Sequence, residues 1–221
     1  MALSNLTGFN PGVVQTSISG VKSAYNNLIE QIGTRMQNEF INGMAEMWAC
    51  DEAVDFFNNV VKDNIDRLIP AVNATFESIV RVMDDQARIW AENTGNASVY
   101  VSTQFEQNPK TSVDVSCIQN ATATGERGID VENYGTVVNK LPNIYEQAKS
   151  AAQAAQQAVS DCGFLGGDQA TTLYNSLERV KNSIDSAIST ITQLLQTNIN
   201  NTVSRYGALQ TQASSRFQVE E

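Results

Sequence analysis

The chain has 221 residues, 42% of them hydrophobic, which allows one or two domains with a real core. Its 24 acidic residues outnumber 14 basic ones for a net charge of -10, and no Lys/Arg cluster stands out locally, so nucleic acid is not an expected partner. There is no histidine, the commonest general base and metal ligand, and no nucleophile with a base, phosphate loop or metal spacing replaces it; the chain reads as a non-enzyme without cofactor or metal.

The first residues, MALSNLTGFNPGVVQTS, have no basic n-region, continuous apolar run or small-residue cleavage site. No run approaches the length of a membrane span. The expectation is a chain made in the cytoplasm without a general secretory signal, with no membrane span, leaving the cell only by another route. Three widely spaced cysteines, Cys50, Cys117 and Cys162, fit neither a disulfide framework nor a metal site and read as reduced and structural. The sequons at Asn5, Asn73, Asn96, Asn120 and Asn200 read as a by-product of Asn, Ser and Thr richness.

From Val14 to Met47, apolar residues at Ile18, Val21, Tyr25, Leu28, Ile29, Ile32, Met36, Phe40 and Met44 recur in three- and four-residue steps, one face of a long helix. The stretch EMWACDEAVDFF follows, and Asp51 is placed to cap a second helix. Its stripe runs from Phe57 through Val61, Ile65, Leu68, Val72, Phe76, Ile79, Met83 and Ala87 to Trp90 and ends near Gly95, with a kink expected at Pro70. Two alternating runs in residues 97–118, ASVYVSTQF and TSVDVSCI joined by EQNPK, predict a β-hairpin insert. A third helix begins near Tyr134 with a stripe of small residues and Pro142 near its start. After DCGFLGGDQA, a fourth helix carries Leu173, Leu177, Ile184, Ile188, Ile191, Leu195, Ile199, Val203 and Tyr206, with Asp168 as its expected cap.

A shift of 116 positions superimposes the halves: Trp48 falls on Phe164, Trp90 on Tyr206, Phe57 on Leu173, Leu68 on Ile184 and Ile79 on Leu195. The chain therefore reads as two helical hairpins in tandem, each with an aromatic at its turn. The expected fold is all-α: four long helices in one four-helix bundle, with residues 1–95 as first hairpin, 96–130 as linker with β-hairpin, and 131–221 as second hairpin.

A hairpin of this size with Trp-x-Gly at its turn resembles the WXG (ESAT-like) family of type VII (ESX) secretion substrates. Here the motif reads Trp48-Ala49-Cys50 in the first unit, with Cys where Gly belongs, and Phe164-Leu165-Gly166 in the second, with Phe where Trp belongs. The resemblance implies a secreted bacterial protein that acts by protein-protein interaction. Its expected partners are a type VII motor ATPase and another WXG-like protein or toxin, or further copies of itself in a homo-oligomer. The family's Tyr-x-x-x-Asp/Glu export signal follows its second helix; here Trp90 is followed at that spacing by Thr94 and Tyr206 by Gln210, and at the extreme C-terminus Phe217 and Glu221 stand at it with Phe replacing Tyr.

The family's antiparallel pairing puts the two turns at opposite ends and requires the linker to run the bundle's length. The hairpin-like linker favours up-down-up-down instead, with Cys50 and Cys162 at one end. Two other readings stay open at this point, a helical pore-forming toxin component and a structural protein of a filament or phage-like particle.

Overall fold

A computed structural model describes residues 10–162 and 167–216. Helix α1 (residues 11–47) and helix α2 (residues 51–93) form the first hairpin, joined through β1 (Trp48–Ala49). The second half comprises β2 (Gly128–Ile129), a short α3 (Tyr134–Val138), α4 (Lys140–Ser160) and α5 (Gly167–Arg216). The four long helices α1, α2, α4 and α5 bury one core that runs through the molecule. The fold is all-α, with a small two-stranded antiparallel sheet between the halves.

Local chemistry sets the helix ends. Asn10 caps α1, its side-chain oxygen accepting from the backbone N–H groups of Gly12 and Val13 at 3.0 and 3.3 Å, with Pro11 at the first helical position. α2 ends with Gly95 at φ 73°, and Asn96 N–H closes back on the Ala91 carbonyl at 2.8 Å, a Schellman stop that only glycine enters without strain. The expected cap at Asp51 is displaced by one residue. Cys50 is the N-cap, extended at φ -168°, and Asp51 and Glu52 occupy the first turn, where their charge favours the helix N-terminus. Asp168 likewise lies in the first turn of α5. Pro70 sits inside the continuous α-helical segment Asp63–Asn93.

Within α1 the core stripe takes four successive four-residue steps, Leu28, Ile32, Met36, Phe40 and Met44, all fully buried. In an α-helix each such step overshoots a full turn by about 40°, so the stripe would rotate away from the core. Residues Glu30–Ile41 are instead π-helical, and their i→i+5 bonds fit more residues into each turn and keep the stripe facing inward. A second π segment, Phe57–Lys62, underlies the steps from Phe57 to Val61 to Ile65. Phe40 and Phe57 meet between the two, ring centroids 5.5 Å apart.

Helix α1 packs against α2 and α4, and α5 against α4 and α2. The pairing of α1 with α4 is antiparallel: Gly20 lies against Ala158, Arg35 donates to Asn143 at 3.0 Å, and Gly43 lies against Val137. A Cβ on Gly20 would stand 3.1 Å from the Ala158 methyl, so the small residues of this seam set its close approach. α2 and α5 are antiparallel as well, with Ile79 near Leu173, Leu68 near Ala187, and Glu52 bonded to Arg205.

These contacts correct the up-down-up-down expectation. Cys50 lies beside Thr202, toward the end of the bundle where α5 finishes, whereas Cys162 lies beside Ser17 at the other end. The turns therefore face opposite ways, and the second hairpin is the first turned end over end. The reason lies in residues 97–118, which form no hairpin: they run extended along the groove between α1 and α2 as a strap. A hairpin there would leave about 13 linker residues, reaching roughly 45 Å, against the roughly 65 Å of α2. The sheet forms elsewhere, with Trp48 opposite Ile129 and Ala49 opposite Gly128.

Candidate interaction site at the first turn and along the strap

The alternation read in residues 97–118 is real, but it serves burial against helices rather than a sister strand. Tyr100, Val113, Val115 and Ile118 are buried, while Val99 and Val101 face outward. An extended chain without strand neighbours leaves its main-chain groups in need of partners, and the helices supply them as side chains. Gln37 accepts from Asp114 N–H and donates to its carbonyl, both at 2.7 Å, as a neighbouring strand would. Lys22 donates to the Gln104 carbonyl at 2.8 Å, and Asp66 accepts from Val113 N–H at 3.0 Å. The buried hydroxyl of Tyr25 accepts from Asn108 N–H at 2.8 Å and donates to Asn73 at 2.9 Å.

The strongest anchor is Asp84, 9% exposed, which accepts from the Tyr100 hydroxyl at 2.7 Å, the Ser102 hydroxyl at 2.5 Å and Thr103 N–H at 2.6 Å. Burial and the adjacent carboxylate push the Tyr100 phenol well above its ordinary range, so it remains a donor. Read in sequence, Asp84 is merely one of two adjacent carboxylates. The signal that marks it is position: it lies next to Met83 on the inward face of α2, where a charge requires partners.

At the first turn, Trp48 is 1% exposed and its ring lies against Phe56 and Phe57, centroids 5.8 and 6.3 Å away. Its main chain is held in the sheet, and Asp130 N–H donates to the Met47 carbonyl at 2.8 Å beside it. Gly128, at φ 147°, permits the bend by which the linker meets β1. Ala49 and Cys50 are also buried. Buried in this way, the Trp48 ring presents no face to a partner; it fixes the crossing of α1 and α2. Its indole N–H has no hydrogen-bond partner among the described residues.

Outside this core stands a charged collar. Arg127 approaches Asp51 at 3.7 Å, and Arg205 pairs with Glu52 while lying 5.7 Å from the centre of the Tyr206 ring. The collar ties the first turn to the linker and to α5. Burial raises the Cys50 thiol above its ordinary value. For Glu52, burial opposes ionisation, but its own backbone N–H, Cys50 and Arg205 together hold the carboxyl below its ordinary value.

Phe164, Leu165 and Gly166, the second turn motif, and Phe217 and Glu221, the export-signal spacing, lie outside the described residues. The structure thus places Trp48, Ala49 and Cys50 together. Trp90 and Tyr206, the distal aromatics of the two units, are both partly buried against the core.

Comparison of the chain with protein-family models, with curated proteins and with solved structures gives no match. The chemistry of the site must therefore be read from its own residues. Among the described residues no cluster of acidic or cysteine side chains is arranged to hold a metal ion, and no helix is long and apolar enough to cross a membrane. What the arrangement offers is surface: two helical hairpins, one strap, and the grooves between helices.

Proposed function

We propose that this chain is a non-enzymatic, WXG-like protein of a type VII (ESX) secretion system, an exported substrate or a targeting partner that acts through the surfaces of its helical bundle. The observation that carries the reading is the end-over-end arrangement of two hairpins in one repeat register, with Trp48 locking the first turn. The resemblance that begins at the Trp-x-Gly-like turns implies two hairpins paired antiparallel, and the bundle has that form within one chain. Fusion makes the pairing intramolecular and independent of concentration. One chain then does the work of a dimer, leaving its outer faces to the secretion motor and to a second WXG-like protein or toxin.

The test is an immunoblot of culture supernatant from the source organism with and without its type VII motor ATPase. The expected result is protein in the medium that disappears when the motor is deleted. Retention in the cells of both strains would overturn the reading and leave an intracellular adaptor role.

A further inference from the structure

We propose that the groove between α4 and α5 is a docking site for an extended, uncharged peptide segment of a partner protein, held there as the strap is held between α1 and α2. This inference rests on the repeat within the fold and does not depend on the export reading.

The shift of 116 residues that relates the hairpins carries each strap-holding residue of the first onto a definite position of the second. Of the residues that hold the strap's first half, Lys22 maps to Val138, Asn73, which acts through Tyr25, to Ser189, Glu77, which accepts from the Gln107 amide, to Gln193 and Asp84 to Asn200. Those four positions line a single open groove of about 820 Å³ between α4 and α5, whereas Tyr25, Gln37 and Asp66 map to Leu141, Gln153 and Asn182, outside it. Where the first hairpin is covered by residues 100–108, the second is bare among the described residues.

The lining of the groove defines what fits it. Ile188 and Leu195 are buried at its floor, and Ser189, Thr192, Gln193 and Asn200 stand exposed along its edge. None of the lining residues is charged, although the chain carries a net charge of -10. Hydroxyl and amide groups both donate and accept, which matches the alternating N–H and C=O of an extended main chain. Gln37 already holds Asp114 in this way on the other hairpin. Replacing Asp84 by Asn200 removes the anionic anchor. The segment that docks there accordingly needs no hydroxyl trio like that of Tyr100, Ser102 and Thr103, and main-chain recognition over an apolar floor remains.

The occupant is a separate chain because the extended segment among the described residues, the strap, is already held in the groove between α1 and α2 by Lys22, Gln37 and Asp84.

The probe is a fluorescein-labelled peptide with the sequence of residues 97–105, ASVYVSTQF, which carries no charge, titrated with the full chain and followed by anisotropy. Saturable binding is expected below about 1 mM, weakened at least about tenfold by Ser189→Trp, which fills the groove from an exposed position. Thr197→Arg serves the same purpose if Ser189→Trp lowers the melting temperature. Lys22→Met loosens the native strap and distinguishes the grooves. Binding that ignores both groove substitutions but strengthens with Lys22→Met would place the peptide in the strap's own site and overturn the proposal, as would no saturable binding at all.

Discussion

The two hairpins share one repeat register and their second helices start at equivalent positions, Asp51 and Gly167, yet only one hairpin is closed among the described residues. On α1 and α2 the strap covers the groove, Asp84 and Gln37 bind its main chain, and π segments run beneath its second half. On α4 and α5 the stripe steps by threes and fours at an α-helical mean, the helices carry no π segment, and the groove stays open. Duplication of a stripe thus conserves a core without conserving a surface. Function in such a molecule belongs where the halves differ, and each experiment below tests one such difference.

The largest contrast lies between the cysteines. Cys117 is exposed, whereas Cys50 and Cys162 are buried at opposite ends. Burial pushes the Cys162 thiol up to about 12, against an ordinary value near 9, so at neutral pH it carries about a thousandfold less thiolate. Under native conditions one thiol is expected to react rapidly with an aromatic disulfide reagent and two slowly. Oxidation of dilute monomer should produce no Cys50–Cys162 crosslink. Ready formation of that crosslink would overturn the end-over-end arrangement.

Next in size is the lock at the first turn. Trp48→Ala empties a fully buried site between Phe56 and Phe57 and is expected to cost about 3–5 kcal/mol, measured by urea denaturation. Because the ring is buried, any loss of export in this variant should accompany a lower melting temperature. Export lost at unchanged stability would mean that Trp48 is recognised directly.

The strap anchor gives a paired test. Asp84→Ala leaves the Tyr100 and Ser102 hydroxyls and the Thr103 N–H without their acceptor and is expected to cost roughly 2–4 kcal/mol, with new protease cleavage in residues 97–108. Asn200→Ala, at the equivalent position over the open groove, should change stability by less than about 0.5 kcal/mol. Equal costs would show that the two grooves are alike in energy and would remove the basis of the comparison.

How much of this the sequence discloses follows from what each signal fixes. Apolar spacing names the core residues almost one by one, because burial is periodic along a helix: every stripe residue from Ile18 to Met44 is buried. The run of four-residue steps from Leu28 to Met44 also carries the π segment, a finer reading of the same stripe. Alternation in residues 97–118 correctly marks an extended, half-buried chain. Its partner is invisible, since period two states that one face is covered but not by what. The small two-stranded sheet forms as expected between the halves, but its placing in residues 97–118 failed on that ambiguity, and the up-down-up-down expectation failed with it. The turn residues Trp48 to Cys50 were legible as a turn. The collar of Arg127 and Arg205 was not, because it joins residues far apart in sequence.

The smallest effect expected is at that collar, and its sign follows from the charge states. The folded Glu52 carboxyl lies below its ordinary value despite burial, because its backbone N–H, Cys50 and Arg205 all favour the ionised form. An unfolded glutamate titrates near pH 4.3, so at higher pH both states are ionised and the stabilisation is fully present. As pH falls through that range and on through the lowered folded value, the unfolded state takes up its proton first and the stabilisation is lost. Arg205 is half exposed, which screens the pair and limits its contribution to under about 1 kcal/mol. Glu52→Gln should therefore lower stability slightly at pH 7, and the difference from the unaltered chain should shrink as pH falls below the unfolded value and vanish only below the lowered folded value. A difference that persists unchanged at low pH would assign the effect to packing around Cys50 and Thr202 rather than to the charge that joins the first turn to α5.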